Sequence, residues 1–247
     1  MLSTILELLF YLVIVIFFIC SIKYLWHLLF EKTQYSSVQW DYKKKAGEIS
    51  NQLIHLEKNF PDKVRFFNFW HQIERIKNEN IKGSFAELGV YKGETAKFIH
   101  EMDNTRKFYL FDTYEGYSKK DIEKETGEAS TYTSKNFSNT SIDAVKEYID
   151  GNGNLIFLKG HFPETTYSLK NQKYSLVTMD ANLYNPTKDG LEYFYPKLSK
   201  GGVIIIHDYN HKWERLMKAV DEFVKKIPES LIPLPDMYCS VMIIKNK

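Results

Sequence analysis

Ala86-Glu87-Leu88-Gly89-Val90-Tyr91-Lys92-Gly93, answered about twenty residues on by Leu110-Phe111-Asp112, decides the fold of this chain. An apolar strand runs into a turn with two glycines, and the second glycine opens a helix. A second strand then ends in a carboxylate. That order puts backbone N–H groups beside one part of a ligand and an acid where ribose hydroxyls would lie. It reads as the cofactor half of a Rossmann-like α/β domain. The glycine spacing departs from G-x-G-x-x-G, so a dinucleotide does not follow automatically.

Working outward, 247 residues allow one α/β domain plus an appendage. Hydrophobic residues make up 44% and aromatics 15%, ample for a core and against global disorder. A formal charge of +2 does not suggest a nucleic-acid partner. The 2 cysteines, Cys20 and Cys239, cannot form a disulfide framework, which suits a reducing compartment.

The N-terminus reads differently from the rest. Residues 8–22 (LLFYLVIVIFFICSI) carry no charge, and 24–30 (YLWHLLF) extend the apolar run past Lys23. Fifteen helical residues cover only about 22 Å, but the flanks bring the length to that of a roughly 30 Å hydrocarbon core. Tyr24 and Trp26 suit an interfacial belt. A cleavable signal peptide would show a basic start and a small-residue cleavage site, and neither is visible. A buried helix, apolar all round, would need a large core about it. The expectation is a single-pass membrane anchor over residues 1–34. Lys23, Lys32, Lys43, Lys44 and Lys45 follow it while Glu7 is the only charged side chain before it, which predicts a cytoplasmic catalytic domain. The run Lys43–Lys45 most simply gives a solvated face near an anionic membrane surface.

Residues 35–82 read as a helical cap region, with helices over 36–60 and 64–80 separated near Pro61. The catalytic domain is expected over 83–247. Strand patterns at 84–88, 107–111, 154–158, 175–179 and 202–206 alternate with helical ones at 93–102, 140–150, 186–198 and 212–227. Such alternation predicts a mainly parallel sheet with helices on both faces. The polar segment between Asp112 and Ser141 is too long for a simple connection and reads as either a lid or a poorly ordered stretch. Ile232-Pro233-Leu234-Pro235 followed by 238–245 suggests a turn and a closing strand.

Ligands of open α/β sheets bind at the carboxyl ends of the strands, so the polar residues there are the candidates. They are Glu87, Gly89 and Gly93 after the first strand, Asp112 after the second, Asp180 after the fourth, and His207-Asp208 after the fifth. A strand-end aspartate is often only a cap or turn residue, and a histidine there is often a satisfied structural one. His161, Glu164, Tyr114 and Glu115 lie on loops, where simple exposure or packing explains them as well.

The segments AELGVYKGETA, YLFDTYEGY, GHFPET, MDANLYNPT and GGVIIIHDY, in that order from about residue 64 to the C-terminus, resemble the macrocin O-methyltransferase family, the TylF/MycF type of class I S-adenosylmethionine-dependent methyltransferases. The resemblance implies a Rossmann-like, seven-stranded, mostly parallel sheet with S-adenosylmethionine over the glycine turn. It implies cofactor contacts at Glu87, Gly89, Gly93 and Asp112, and methyl transfer to a hydroxyl of a sugar, nucleotide sugar or glycan precursor. Family members use a divalent cation, usually magnesium, and that carboxylate pattern maps onto Asp180 and the 207–208 pair. This chain departs there, with His207-Asp208 where the best-known members have two aspartates. Magnesium suits carboxylates; an imidazole shifts preference toward manganese, iron or zinc. Asp180 and Asp208 are therefore expected metal ligands, Asp180 and His207 catalytic candidates, and His207 is left between ligand, base and structural group. Two rivals are an NAD-dependent nucleotide-sugar oxidoreductase, which should show G-x-G-x-x-G, and an anchored non-catalytic binding protein. A homo-oligomer is left open, since the helix pair could pack on another subunit.

Overall fold

The structure is a computed structural model that describes residues 2–30 and 36–246. Lys32, used in the charge-asymmetry reading, and the end of the expected anchor lie outside the described residues. The chain divides into two compact units, Met1–Asp41 and Tyr42–Lys247.

In the first unit, helix α1 runs Leu2–Phe30. Its stretch Thr4–Trp26 is long and apolar enough to cross a membrane, and none of it is buried. Helix α2 (Val38–Lys45) spans the division at Asp41, and the residues after it belong to the second unit. The helix expected over 36–60 is in fact two. Gly47 turns the chain with φ 74°, and Ser50 restarts it as the cap of α3 (Asn51–Asn59), its hydroxyl accepting from Leu53 N. A left-handed residue and a new cap end one helix and begin another.

In the second unit, α4 (Lys63–Asn78) is capped by Asp62 and precedes the sheet. The order β1 (Ser84–Leu88), α5 (Glu94–Met102), β2 (Phe108–Asp112), α6 (Lys119–Ile122), α7 (Ile142–Ile149), β3 (Leu155–Lys159), β4 (Tyr174–Met179), α8 (Tyr184–Lys197), β5 (Leu198–Ile206), α9 (Glu214–Val224), β6 (Ile232–Pro233) and β7 (Val241–Ile244) builds a seven-stranded sheet. Its strand order is β3-β2-β1-β4-β5-β7-β6. The first five strands are parallel; β7 runs antiparallel to β5, and β6 antiparallel to β7. The sheet is thus mixed, and Ile232-Pro233, expected as a turn, is a short edge strand. An edge is where proline is tolerated, because its missing N–H faces no partner.

The period-2 alternation of the strands sends Ala86, Leu88, Tyr109, Phe111, Val177, Met179, Ile204 and Ile206 to one face, where they pack with Leu191 and Phe194 of α8 and Leu216 and Val220 of α9. The opposite face, with Phe85, Phe108, Leu176 and Ile205 all buried, is covered from the side of α4, which packs on β5 and α5. The aromatic contacts of Phe98 with Phe60, Phe66 and Phe69 tie these helices together.

The polar segment after β2 is ordered and not a slack linker. Glu125 within it is buried and accepts from Tyr184 N at 2.8 Å, so a carboxylate from the segment caps a helix whose own N-cap, Leu183, offers no side-chain acceptor. Asp121 is likewise buried. Its Oδ1 accepts from Asn185 at 3.0 Å and its Oδ2 lies 2.8 Å from His161 Nε2.

Candidate active site

Strand order reverses between β1 and β4, and the backbone there continues the ladder past the strands. Gly89 N donates to Phe111 O at 2.9 Å, Asp180 N to Leu88 O at 2.8 Å, and His207 N to Met179 O at 2.9 Å. The ends of β2, β1, β4 and β5 therefore stand side by side, where such sheets bind ligands. A cavity of about 440 Å³ opens over them. Gly89, Asp112 and His161 line one part of it, and Arg65, Asp180 and Tyr238 another.

The glycine turn needs its glycines. Gly89 has φ 88°, and a Cβ there would lie 2.7 Å from the carbonyl carbon of Asp180 and nearer still to its oxygen. Gly93, at φ 83°, caps α5, and a Cβ on it would meet Val145 of α7 at 2.8 Å. The acid of β2 holds the turn directly: Asp112 Oδ2 accepts from Val90 N at 2.7 Å and Tyr91 N at 2.8 Å, and Oδ1 from Tyr114 N at 2.7 Å. A carboxylate has about four lone-pair sites, so Asp112 keeps capacity for a hydroxyl. Glu87 is buried with Oε2 unpartnered. Burial, reinforced by Asp180, pushes its carboxyl well above the usual range.

On the other side of the reversal, Asp180, His207 and Asp208 come together, one ligand atom of each within 4.8 Å of the others. His207 Nδ1 lies 3.4 Å from Asp180 Oδ1 and 3.4 Å from Asp208 Oδ1, and neither ring nitrogen has a hydrogen-bond partner. Asp180 lines the cavity, whereas the buried His207 and Asp208 stand behind its wall; the Tyr238 ring packs on His207 at 5.6 Å. Arg65 Nη2 donates to Asp180 Oδ2 at 2.9 Å. Burial opposes charge on Asp180, but His207 and Arg65 outweigh it and hold the carboxyl below its usual range. Burial likewise lowers His207, yet Asp180 and Asp208 carry it up to about 9. Two half-satisfied carboxylates on either side of a buried imidazole form a donor set that fits a divalent cation.

Arg65, Tyr117 and Asn182 are further residues of this site that sequence reasoning did not single out. Asn182 donates to Asp208 Oδ2 and accepts from the Tyr117 hydroxyl at 3.0 Å. The structure does not bring every loop candidate inward. Glu115 pairs with Lys159 at 2.6 Å on the surface, Glu164 sits in a short exposed 3-10 turn, and Tyr114 is buried outside the cavity lining. His161 does line the cavity.

A mixed seven-stranded sheet of this order, with the glycine turn and strand-end acids at its reversal, is an α/β methyltransferase fold. The chain belongs to the macrocin-O-methyltransferase (TylF) family, whose pattern it matches over residues 31–239. The 8-demethyl-8-(2,3-dimethoxy-alpha-L-rhamnosyl)-tetracenomycin-C 4'-O-methyltransferase of Streptomyces olivaceus is 26% identical over 156 residues, 59% of this chain and 60% of that protein. The mycinamicin III 3''-O-methyltransferase of Micromonospora griseorubida is 27% identical over 158 residues, 59% and 62%. The chain thus spans about 60% of the length of these curated relatives. Among solved structures, the O-methyltransferase NovP shares the fold, with a TM-score of 0.65 at 24% identity over 75% of this chain and 81% of that one.

Proposed function

We propose that this chain is an S-adenosylmethionine-dependent O-methyltransferase acting on a hydroxyl of a sugar, nucleotide sugar or glycan precursor. One observation carries the reading: Gly89 and Asp112 on one side of the strand reversal and Asp180 on the other line the same cavity. Glu87, Gly89, Gly93 and Asp112 make the cofactor side; S-adenosylmethionine held there would supply the methyl group to the acceptor oxygen and leave as S-adenosylhomocysteine.

Asp180, as the cluster member on the cavity wall, receives the acceptor hydroxyl and its proton. Held below its usual range, it is a weak base, so the hydroxyl must gain acidity as the proton moves. Asp180, His207 and Asp208 would hold a divalent cation, magnesium or manganese, and such a cation would supply that acidity. His207, whose Nδ1 stands 3.4 Å from both carboxylates, would serve as the third ligand in this scheme by exchanging its proton for the cation. The name of the Streptomyces olivaceus relative, which specifies methylation of a rhamnosyl-bearing compound, supports a sugar acceptor. The unburied apolar stretch of α1 supports a membrane anchor, and the lysines after it a cytoplasmic catalytic unit.

Titration calorimetry on the full chain tests the cofactor assignment. S-adenosylmethionine and S-adenosylhomocysteine should bind in the micromolar range, the usual scale for an enzyme's substrate, and NAD should not. Binding of NAD with no response to either sulfur nucleotide would overturn it.

A further inference from the structure

Each carboxylate of the cluster has one oxygen taken by a neighbour and one turned inward. For Asp180 the neighbour is Arg65, on Oδ2; for Asp208 it is Asn182, on Oδ2. The two inward oxygens, Asp180 Oδ1 and Asp208 Oδ1, meet the same atom, His207 Nδ1. We propose that Asn182 is a positioning residue that aims Asp208 at the metal, and that the Tyr117 hydroxyl sets the orientation of the Asn182 amide. This rests on the metal reading given above.

The hydrogen-bond chemistry leaves one arrangement. A carboxylate only accepts, so the amide nitrogen of Asn182 must face Asp208, and its oxygen must then face Tyr117. Tyr117 donates into that oxygen, so both ends of the amide are committed. The backbone is held as well: Asn182 has φ 60° and Asp208 φ 61°, a left-handed region that asparagine and aspartate tolerate better than other side chains. Asn182 is buried, where an amide with both ends satisfied is rigid and one left half-satisfied is costly.

Tyr117 reaches this amide from the cofactor side. It follows Asp112 by a turn in which Thr113 Oγ1 donates to Gly116 O at 2.6 Å, with Gly116 at φ 89°. Its ring is held edge-on by Phe137 at 5.2 Å and Tyr132 at 6.1 Å, both from the segment after β2. One chain of contacts therefore runs from that segment through Tyr117 and Asn182 to Asp208.

The test is the affinity of the cofactor-free full chain for Mn2+, followed by its paramagnetic effect on solvent water, in wild type, Asn182→Gly and Tyr117→Phe. Glycine keeps the left-handed backbone and removes only the amide. Loss of a group that orients a ligand typically weakens metal binding 10- to 100-fold, so Asn182→Gly should bind Mn2+ about tenfold more weakly. Tyr117→Phe, losing one neutral hydrogen bond, should show roughly a threefold loss. S-adenosylhomocysteine affinity should hold in both variants, which a general loosening of the site would not allow. Equal Mn2+ affinity in wild type and Asn182→Gly would overturn this inference alone, as would a parallel loss of nucleotide binding. A wild-type protein that takes up no Mn2+ would overturn the metal reading and this inference together.

Discussion

Gly89→Ala should destabilise the protein by ~4 kcal/mol and abolish binding of S-adenosylhomocysteine. Two costs combine. An L side chain at φ 88° is strained by about 1–3 kcal/mol, and overpacking against a rigid neighbour adds about as much. The neighbour is backbone, the carbonyl of Asp180, and not a side chain that could swing aside. Relief requires β1 and β4 to separate at the strand reversal, which also displaces the N–H groups of Val90 and Tyr91 from Asp112. Gly47→Ala is the internal control. Gly47 has a similar φ of 74° with nothing within 4 Å of a new Cβ, so that variant should lose only about 1 kcal/mol, the cost of the left-handed backbone itself. Urea unfolding of both variants checks the difference. Equal midpoints would mean that the close approach of β1 to the Asp180 carbonyl does not shape the turn.

Asp180→Asn should lower methyl transfer by about 10³-fold, within the range for a residue that takes the reacting proton, while nucleotide affinity stays within about threefold. The amide keeps the shape and can still accept from Arg65, so packing is preserved. What disappears is the negative charge that both Arg65 and His207 face. His207 then loses its main charge partner, and burial draws its pKa down from about 9. Single-turnover rates with saturating S-adenosylmethionine separate chemistry from binding. Retention of more than a tenth of wild-type activity would remove Asp180 from the proton-transfer role.

The glycine turn was legible because its geometry is local. A strand, two glycines four residues apart and a helix are contiguous, and the backbone geometry that demands glycine is the geometry seen at Gly89 and Gly93. The juxtaposition of Asp112, Asp180 and His207-Asp208 was legible because the parallel strands of the sheet end on one side. Arg65 was not: it lies on α4, whose sequence reads as a core stripe, and meets Asp180 across 115 positions. Tyr117 and Asn182 meet across 65, and neither has a motif to announce it. The segment after β2 could be read as a lid or as poorly ordered because only its length and polarity are local, whereas the partners of Asp121 and Glu125, namely His161, Asn185 and the start of α8, are set by tertiary packing. The break near Gly47 was available locally, since a glycine followed by a serine cap is a helix stop and start; the surrounding polar pattern obscured it.

In the function proposed above, an acid cluster at the ends of β4 and β5 holds a metal and activates an acceptor hydroxyl for methylation. Its most direct test is transfer of an isotope-labelled methyl group from S-adenosylmethionine to a rhamnoside acceptor by the full chain, with and without a chelator. The prediction is label on a sugar oxygen, lost on chelation and restored by added Mg2+ or Mn2+. Transfer that continues at full rate in excess chelator would contradict it.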